Sequence, residues 1–358
     1  VSNILYSLFE KFLSVPENKS CDLGSPSEVL IVRQHNQLGD MLTGISLFRA
    51  LKEKYPKCRI TLIASPANYP AVVKNKHIDF TFNFDKKKLA NPFYFYQLIK
   101  LLRRNYDLVV APAVVSISFT SNLLARISKS KIRIGPSALE GQKNKSVFFF
   151  DRRVNLDWRN HPDSNVADRI LDIVRPFGIS TTNYSSEITF DNNDIKTADQ
   201  FLKKVDYNKK NFLIGIHAGA GKPPNRWSLK KYIAVILKLK EAYPVQFYLT
   251  GSSSDKEELQ YIKDNLSLKL EVFYNQSIPE VAALVSRSDL FISNDTGIMH
   301  VAGATLTPQI SIFGPTNPFN WAPVGKNKRF IKKSELIDDV TVEDVFDLCK
   351  TILDKKKN

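Results

Sequence analysis

Cysteine is scarce in this chain: Cys21, Cys58 and Cys349 are three in 358 residues, far apart and in no CxxC pair. That argues against a disulfide framework or a zinc site and fits a reducing compartment. Long apolar runs are lacking as well; none reaches the length that spans a bilayer. The first residues, VSNILYSLFEKFLSV, carry no basic leader, and Glu10 and Lys11 interrupt their apolar part, so a signal peptide is not expected. Ile4, Leu5, Leu8, Phe9 and Phe12 share one helical face, which suits a docking helix or one packed on its own chain. No zinc-finger or RRM motif occurs, so nucleic acid is not an expected partner. The dinucleotide fingerprint G-x-G-x-x-G is missing, and Lys222 is followed by Pro223, so HAGAGKPP is not a Walker A loop. No Asp-x-Asp follows a strand and no His pair lies at i, i+4, so no metal site is expected.

What is present is positive charge and a repeating pattern. The net charge of +15 favours anionic partners such as acidic lipid or phosphorylated sugars. Part of the excess sits in DKKKN at 354–358, read as a disordered tail. The length suggests two domains, and 43% apolar residues suffice for two cores. Strands are predicted at 28–34, 59–64 and 106–112, with helices at 39–56 and 95–105. A polar stretch follows over 140–190, with one helix near 164–177. The alternation restarts with strands at 212–219, 245–251, 270–275, 289–294 and 308–315. Helices are predicted between them at 228–244, 255–266, 278–288 and 296–305, and a last one at 341–354. This is the pattern of α/β halves with doubly wound parallel sheets, joined by a linker within 180–210.

Ligands bind beyond the carboxyl ends of such strands, so the residues just after each strand matter most. After the first strand, Gly39 and Asp40 stand at a helix start; Asp40 reads either as a dipole-stabilised helix acid or as a general base. HAGAGKPPNRW, after 212–219, offers Gly219 for close backbone approach and Lys222 and Arg226 as charge for a diphosphate, or is an ordinary basic loop. Asp255 reads as a ribose contact or as a helix cap. SNDTGIMHVAGA (293–304) puts Asp295, Thr296, Gly297 and His300 at one strand-to-helix junction, an anion site by its backbone N–H groups. It is not an aspartic-protease site, which needs a second such carboxylate.

Three of these segments, LGDMLTGISLFRALKEKYP, HAGAG…NRWSLKKY and ISNDTGIMHVAGATLTPQISIFGPTNPFNWAPVG, resemble in residues and order the bacterial heptosyltransferases of glycosyltransferase family nine. The resemblance runs from about 28 to 325. It implies a GT-B fold, two Rossmann-like domains facing a cleft. Residues 26–190 would form the acceptor domain and 191–335 the nucleotide-sugar domain. Residues 1–25 would be an N-terminal extension and 336–358 a C-terminal helix and basic tail. It further implies an inverting, metal-independent transfer of heptose from ADP-heptose to a lipopolysaccharide core sugar. By similarity Asp40 is the catalytic base. Thr296 and Gly297 hold the donor diphosphate, Asp295 and His300 lie in the donor site, and Asp255 meets the ribose. Gly39 and Arg33 fall on the acceptor side.

Where the family usually has Lys before Arg-Trp, this chain has Asn225, followed by Arg226 and Trp227. Arg226 or Lys222 would then supply the phosphate charge. The small hydroxylated residues of the family's His-Ala loop are replaced by Gly219 and Ala220. Another NDP-sugar, or an epimerase or hydrolase on the same fold, stays open as an alternative. Lys86, Lys87, Lys88, Lys100, Arg103 and Arg104 interleave with Phe93, Tyr94, Phe95 and Tyr96, as in an interfacial patch or an amphipathic core helix. The expected location is cytoplasmic, peripheral at the inner face of the bacterial inner membrane.

Overall fold

A computed structural model describes residues 3–34, 37–268 and 270–357. The chain divides into two compact units, 1–184 and 185–358.

In the first unit, β1 (Glu28–Arg33), β2 (Arg59–Ala64), β3 (Phe80–Asn83), β4 (Tyr106–Val110), β5 (Ser130–Leu139), β6 (Gln142–Lys143) and β7 (Arg152–Leu156) form one sheet. Its order is β3-β2-β1-β4-β5-β6, with β7 also on β5, and only the β5–β6 pair is antiparallel. VLIVR is buried throughout because helices cover both sheet faces, which is why it reads as a continuous apolar run. The helices are α1 (Asn3–Leu13), α2 (Leu38–Thr43), α3 (Ile45–Lys54), α4 (Tyr69–Val72), α5 (Pro92–Leu102), α6 (Phe119–Ile127) and α7 (Val166–Arg169). Tyr6, Phe9 and Leu13 of α1 pack on the same core as α5 and α6, so α1 docks on its own unit.

The second unit carries β8 (Phe212–His217), β9 (Val245–Gly251), β10 (Glu271–Tyr274), β11 (Leu290–Asn294), β12 (Gln309–Ile312) and β13 (Lys328–Ile331). All are parallel, in the order β10-β9-β8-β11-β12-β13. Its helices are α8 (Asn192–Lys204), α9 (Leu229–Ala242), α10 (Lys256–Asp264), α11 (Ile278–Val285), α12 (Gly297–Gly303), α13 (Pro318–Trp321) and α14 (Val342–Lys357).

Four expectations change. The helix over 39–56 breaks at Gly44, where the chain restarts as α3. A Cβ at Gly44 would lie 2.7 Å from Arg33 Nη1, so the break makes room for a buried guanidinium. The boundary between units, 184/185, falls inside the predicted 180–210, but most of that stretch is not linker: it contains α8, started by a capping box between Asp191 and Asp194 and packed on α11. The helix near 164–177 is only α7 followed by two short 3₁₀ turns, the last holding Pro176 and ending at Gly178 with φ of 67°. The supposed disordered tail is helical through Lys357, while Asn358 lies outside the described residues. Val345, Cys349 and Leu353 bury one face of α14, Tyr243 donates to Asp354 at 2.8 Å, and Lys356 pairs with Asp289 at 2.8 Å. Cys21 is exposed and Cys58 and Cys349 are buried, all as free thiols.

Candidate functional site

The strand order reverses between β1 and β4 in the first sheet and between β8 and β11 in the second. Chains leaving these pairs go to opposite faces and open a crevice at the carboxyl ends. In the first unit, Gln34, just beyond β1, donates to Ser118 at the start of α6 across that crevice at 2.8 Å. Asp40 sits in the first turn of α2 and is 5% exposed. Arg33, at the end of β1, is equally buried and donates from Nη2 to the Asp40 carbonyl at 2.5 Å. The Gly39 carbonyl accepts from Thr43 Oγ1 at 3.1 Å. Arg33 and Gly39 therefore shape the turn that carries Asp40. Asp40 Oδ1 and Arg33 Nη1 have no hydrogen-bond partner among the described residues. Burial raises the Asp40 carboxyl above its ordinary range, and the neighbouring Arg33 charge opposes that. A buried carboxylate with an uncommitted oxygen and raised basicity is suited to take a proton.

In the second unit the ends of β8, β9 and β11 converge. Asn294 is the node. Its Nδ2 donates to Ala218 O at 2.7 Å and Gly219 O at 3.4 Å, and its Oδ1 accepts from Tyr232 Oη at 2.9 Å and Trp227 N at 3.3 Å. This side chain is fully buried and ties the loop after β8 to the end of β11. Asn225, the family departure, donates from Nδ2 to Asp295 Oδ2 at 2.9 Å. Burial raises the Asp295 carboxyl, while a hydrogen bond with Thr316, the charge of Lys222 and the Asn225 amide lower it. A neutral amide thus holds Asp295, and Lys222 is the cation acting on it.

Arg226 is differently placed. Its guanidinium pairs with Glu258 at 3.0 Å, and Nε donates to Ala220 O at 2.8 Å. Its charge is matched within the protein, whereas exposed Lys222 is open to solvent. Asp255 uses Oδ2 to accept from Ser252 N at 2.8 Å and Ser252 Oγ at 2.9 Å, closing a capping box. Its Oδ1 lies against Gly219, where a Cβ would come within 2.1 Å of it. Gly219 is therefore the residue that lets β9's acid reach β8's loop.

Thr296 stands at the N-cap of α12, yet its side chain accepts no bond from the helix it precedes. Met299 N–H bonds to Thr296 O at 3.1 Å, which leaves the Gly297 and Ile298 N–H groups without an acceptor in the helix and makes that end receptive to an anion. His300, one turn in, is buried, edge-on to Trp321 with ring centroids 6.3 Å apart, and its Nδ1 has no partner among the described residues. At the other end of α12, Lys328 from β13 donates to the carbonyls of Ala302, Thr305 and Thr307 at 3.0, 2.8 and 2.7 Å. Burial pushes that ammonium down to about 7, and the three carbonyls at a helix C-terminus work against this.

Burial lowers His300 from its ordinary 6.5 to about 4, so the folded chain refuses a proton that the unfolded chain accepts. Stability is then full above pH 6.5 and declines as pH falls toward 4, by about 3 kcal/mol in all. The urea midpoint is expected to drop between about pH 7 and pH 5, and to drop less in His300→Phe. Equal pH dependence in both proteins would show that His300 does not titrate this way.

Of the sequence-predicted residues, Arg33, Gly39 and Asp40 gather in the first unit. Gly219, Lys222, Arg226, Asp255, Asp295, Thr296, Gly297 and His300 lie on neighbouring strand ends, loops and helix starts of the second. Sequence reasoning missed Asn294, Glu258, Thr316 and Lys328. Asn294 left a signal, a polar residue ending an apolar strand, and Thr316 stood in the IFGPTNP stretch that carries the resemblance. Among the described residues, no three His, Cys, Asp or Glu side chains group as a metal site, and no helix is long and apolar enough to cross a membrane.

Comparison with known proteins matches residues 95–346 to the family model of glycosyltransferase family 9 (heptosyltransferase). Lipopolysaccharide heptosyltransferase 3 of Escherichia coli is 26% identical, over 81% of this chain and 84% of that protein. A glycosyl transferase family 9 structure from Veillonella parvula superposes with a TM-score of 0.80 at 20% identity, covering 92% of this chain and 98% of that one. The E. coli ADP-heptose lps heptosyltransferase II structure gives 0.76 at 19%, covering 92% and 100%. With two parallel-sheet α/β units of the GT-B class and a family model spanning most of its length, this chain belongs to glycosyltransferase family 9, the heptosyltransferase family, and is a glycosyltransferase.

Proposed function

We propose that this enzyme moves heptose from ADP-heptose to a core sugar of lipopolysaccharide, inverting the anomeric centre without a metal. The relatives named above, described as lipopolysaccharide and ADP-heptose transferases, support that donor and acceptor class. The observation that carries the reading is the open first turn of α12, with Lys222 acting on the neighbouring Asp295. Asp40 takes the proton of the acceptor hydroxyl as its oxygen bonds to the anomeric carbon. The bond from that carbon to the diphosphate breaks, and the departing ADP takes the electron pair. Thr296, the Gly297 N–H and Lys222 receive its growing charge. Asp255 and His300 complete the donor side, and Asp295 holds the loop through Asn225. A glycolipid acceptor puts the enzyme in the cytoplasm, peripheral at the inner face of the inner membrane.

Lys222→Ala is expected to weaken ADP binding about tenfold or more, the worth of a charge-assisted hydrogen bond. Arg226→Ala should weaken it less, because Glu258 already pairs that charge. Calorimetry reads both, and wild-type affinity in Lys222→Ala would remove the lysine from the phosphate site. A thermal-shift screen of ADP-, GDP- and UDP-sugars tests the donor: ADP-heptose should stabilise most. A larger shift with a GDP- or UDP-sugar would overturn the heptose reading and leave the transferase standing.

A further inference from the structure

We infer that the outer face of α1 and α5 in the first unit is a docking surface for an anionic lipid bilayer. Both helices cover the same face of the first sheet. Phe9 and Leu13 of α1 and Leu98, Leu101 and Leu102 of α5 point into one core with Leu30, Val32 and Val109 of the strands. The opposite side of each helix therefore faces away from that core.

Those outward sides are apolar where a solvated helix would be polar. Phe12 is 71% exposed, Phe93 70% and Tyr96 61%, and Leu8, Phe95 and Ile99 are exposed with them. Isolated exposed apolar residues need no explanation, but two helices of one layer sharing them do. Cations frame the aromatics. Lys86, Lys87 and Lys88 form an exposed 3₁₀ turn just before α5, and Lys100, Arg103 and Arg104 are exposed at its end. On α1, Lys11 lies 5.8 Å from the Phe12 ring centroid. The acids on this surface are few: Asp85 accepts from Lys87 N at 2.9 Å as the cap of the lysine turn, and Glu10 is exposed on α1.

The composition selects the occupant. Aromatic rings flanked by lysine and arginine insert at the headgroup level while the cations meet lipid phosphates. A second copy of this chain would bring the same lysines against themselves, and like charges repel. The assignment does not depend on which sugar is transferred, and none of its residues belongs to the donor site or to the Asp40 turn.

The test is flotation of the full chain with vesicles of equal parts phosphatidylglycerol and phosphatidylcholine, and with phosphatidylcholine alone. Binding is expected to the anionic vesicles and to fall steeply with salt. Phe93→Ser/Tyr96→Ser and Lys86→Glu/Lys87→Glu/Lys88→Glu should each lower the partition about tenfold or more. ADP binding should stay unchanged, and far-UV circular dichroism and the unfolding of the first unit should match the wild type, which shows the variants are folded. No binding by the wild type, or wild-type partition in both variants, would overturn the proposal. So would a dimer in sedimentation that Phe93→Ser/Tyr96→Ser converts to monomer, since a second copy would then cover this face.

Discussion

Asp40→Asn is expected to lower sugar transfer by about a hundred- to ten-thousand-fold while ADP still binds. The reason lies in the unused oxygen. Asp40 Oδ1 has no partner among the described residues, so its basicity is not engaged by the surrounding helix. The amide keeps the shape and loses the base. It also removes the carboxylate whose charge acts on buried Arg33. The variant should therefore lose about 1–3 kcal/mol of stability, and rates must be read well below its melting temperature. Calorimetric ADP binding checks the fold of the second unit. A turnover near that of the wild type would end the assignment of Asp40 as base.

The largest stability loss is expected at Asn294. Truncation to Ala leaves the Tyr232 hydroxyl, the Trp227 N–H and the Ala218 carbonyl with one bond fewer, in surroundings closed to water. Together these amount to about 3–5 kcal/mol. Asn294→Asp keeps the acceptor for Tyr232 and loses the donor to Ala218, so it should also destabilise, through repulsion between carboxylate and carbonyl. Urea unfolding followed by fluorescence reports both variants. A loss under about 1 kcal/mol for Asn294→Ala would mean that neighbours or water replace the network.

The same residues show what could be read in the chain beforehand. Strands such as VLIVR and LFISN announce themselves because burial on both faces makes their cores, VLIV and LFI, continuously apolar. β5 does not: Gly135 and Pro136 look like turn residues, and the strand keeps them by shifting register between Pro136 and Ala138. α8 was hidden because it is polar overall and only three of its residues, Asp194, Ala198 and Phe201, are buried, although Ile195, Ala198 and Phe201 recur at helical spacing. In the site, Asp40, Thr296 and Gly297 were readable because their place after a strand carries the meaning. The partners of Arg226 were not. Glu258 lies 32 positions away in sequence, and only the fold brings it to the guanidinium while Lys222 stays exposed beside Asp295. Asn225 was visible as a departure; its bond to Asp295 was not.

Lys328 belongs to the outermost strand of its sheet, yet its ammonium holds three carbonyls at and beyond the far end of α12. The helix whose first turn we propose meets the donor is thus braced from behind by the sheet edge. Tilting α12 would break all three bonds at once, so this wall of the site is stiff. Under the proposed donor reading, any adjustment to a particular sugar falls instead to the glycine-bearing loop of 218–226, whose anchors, Asn294 and Asp295, sit on the strand side of that braced helix.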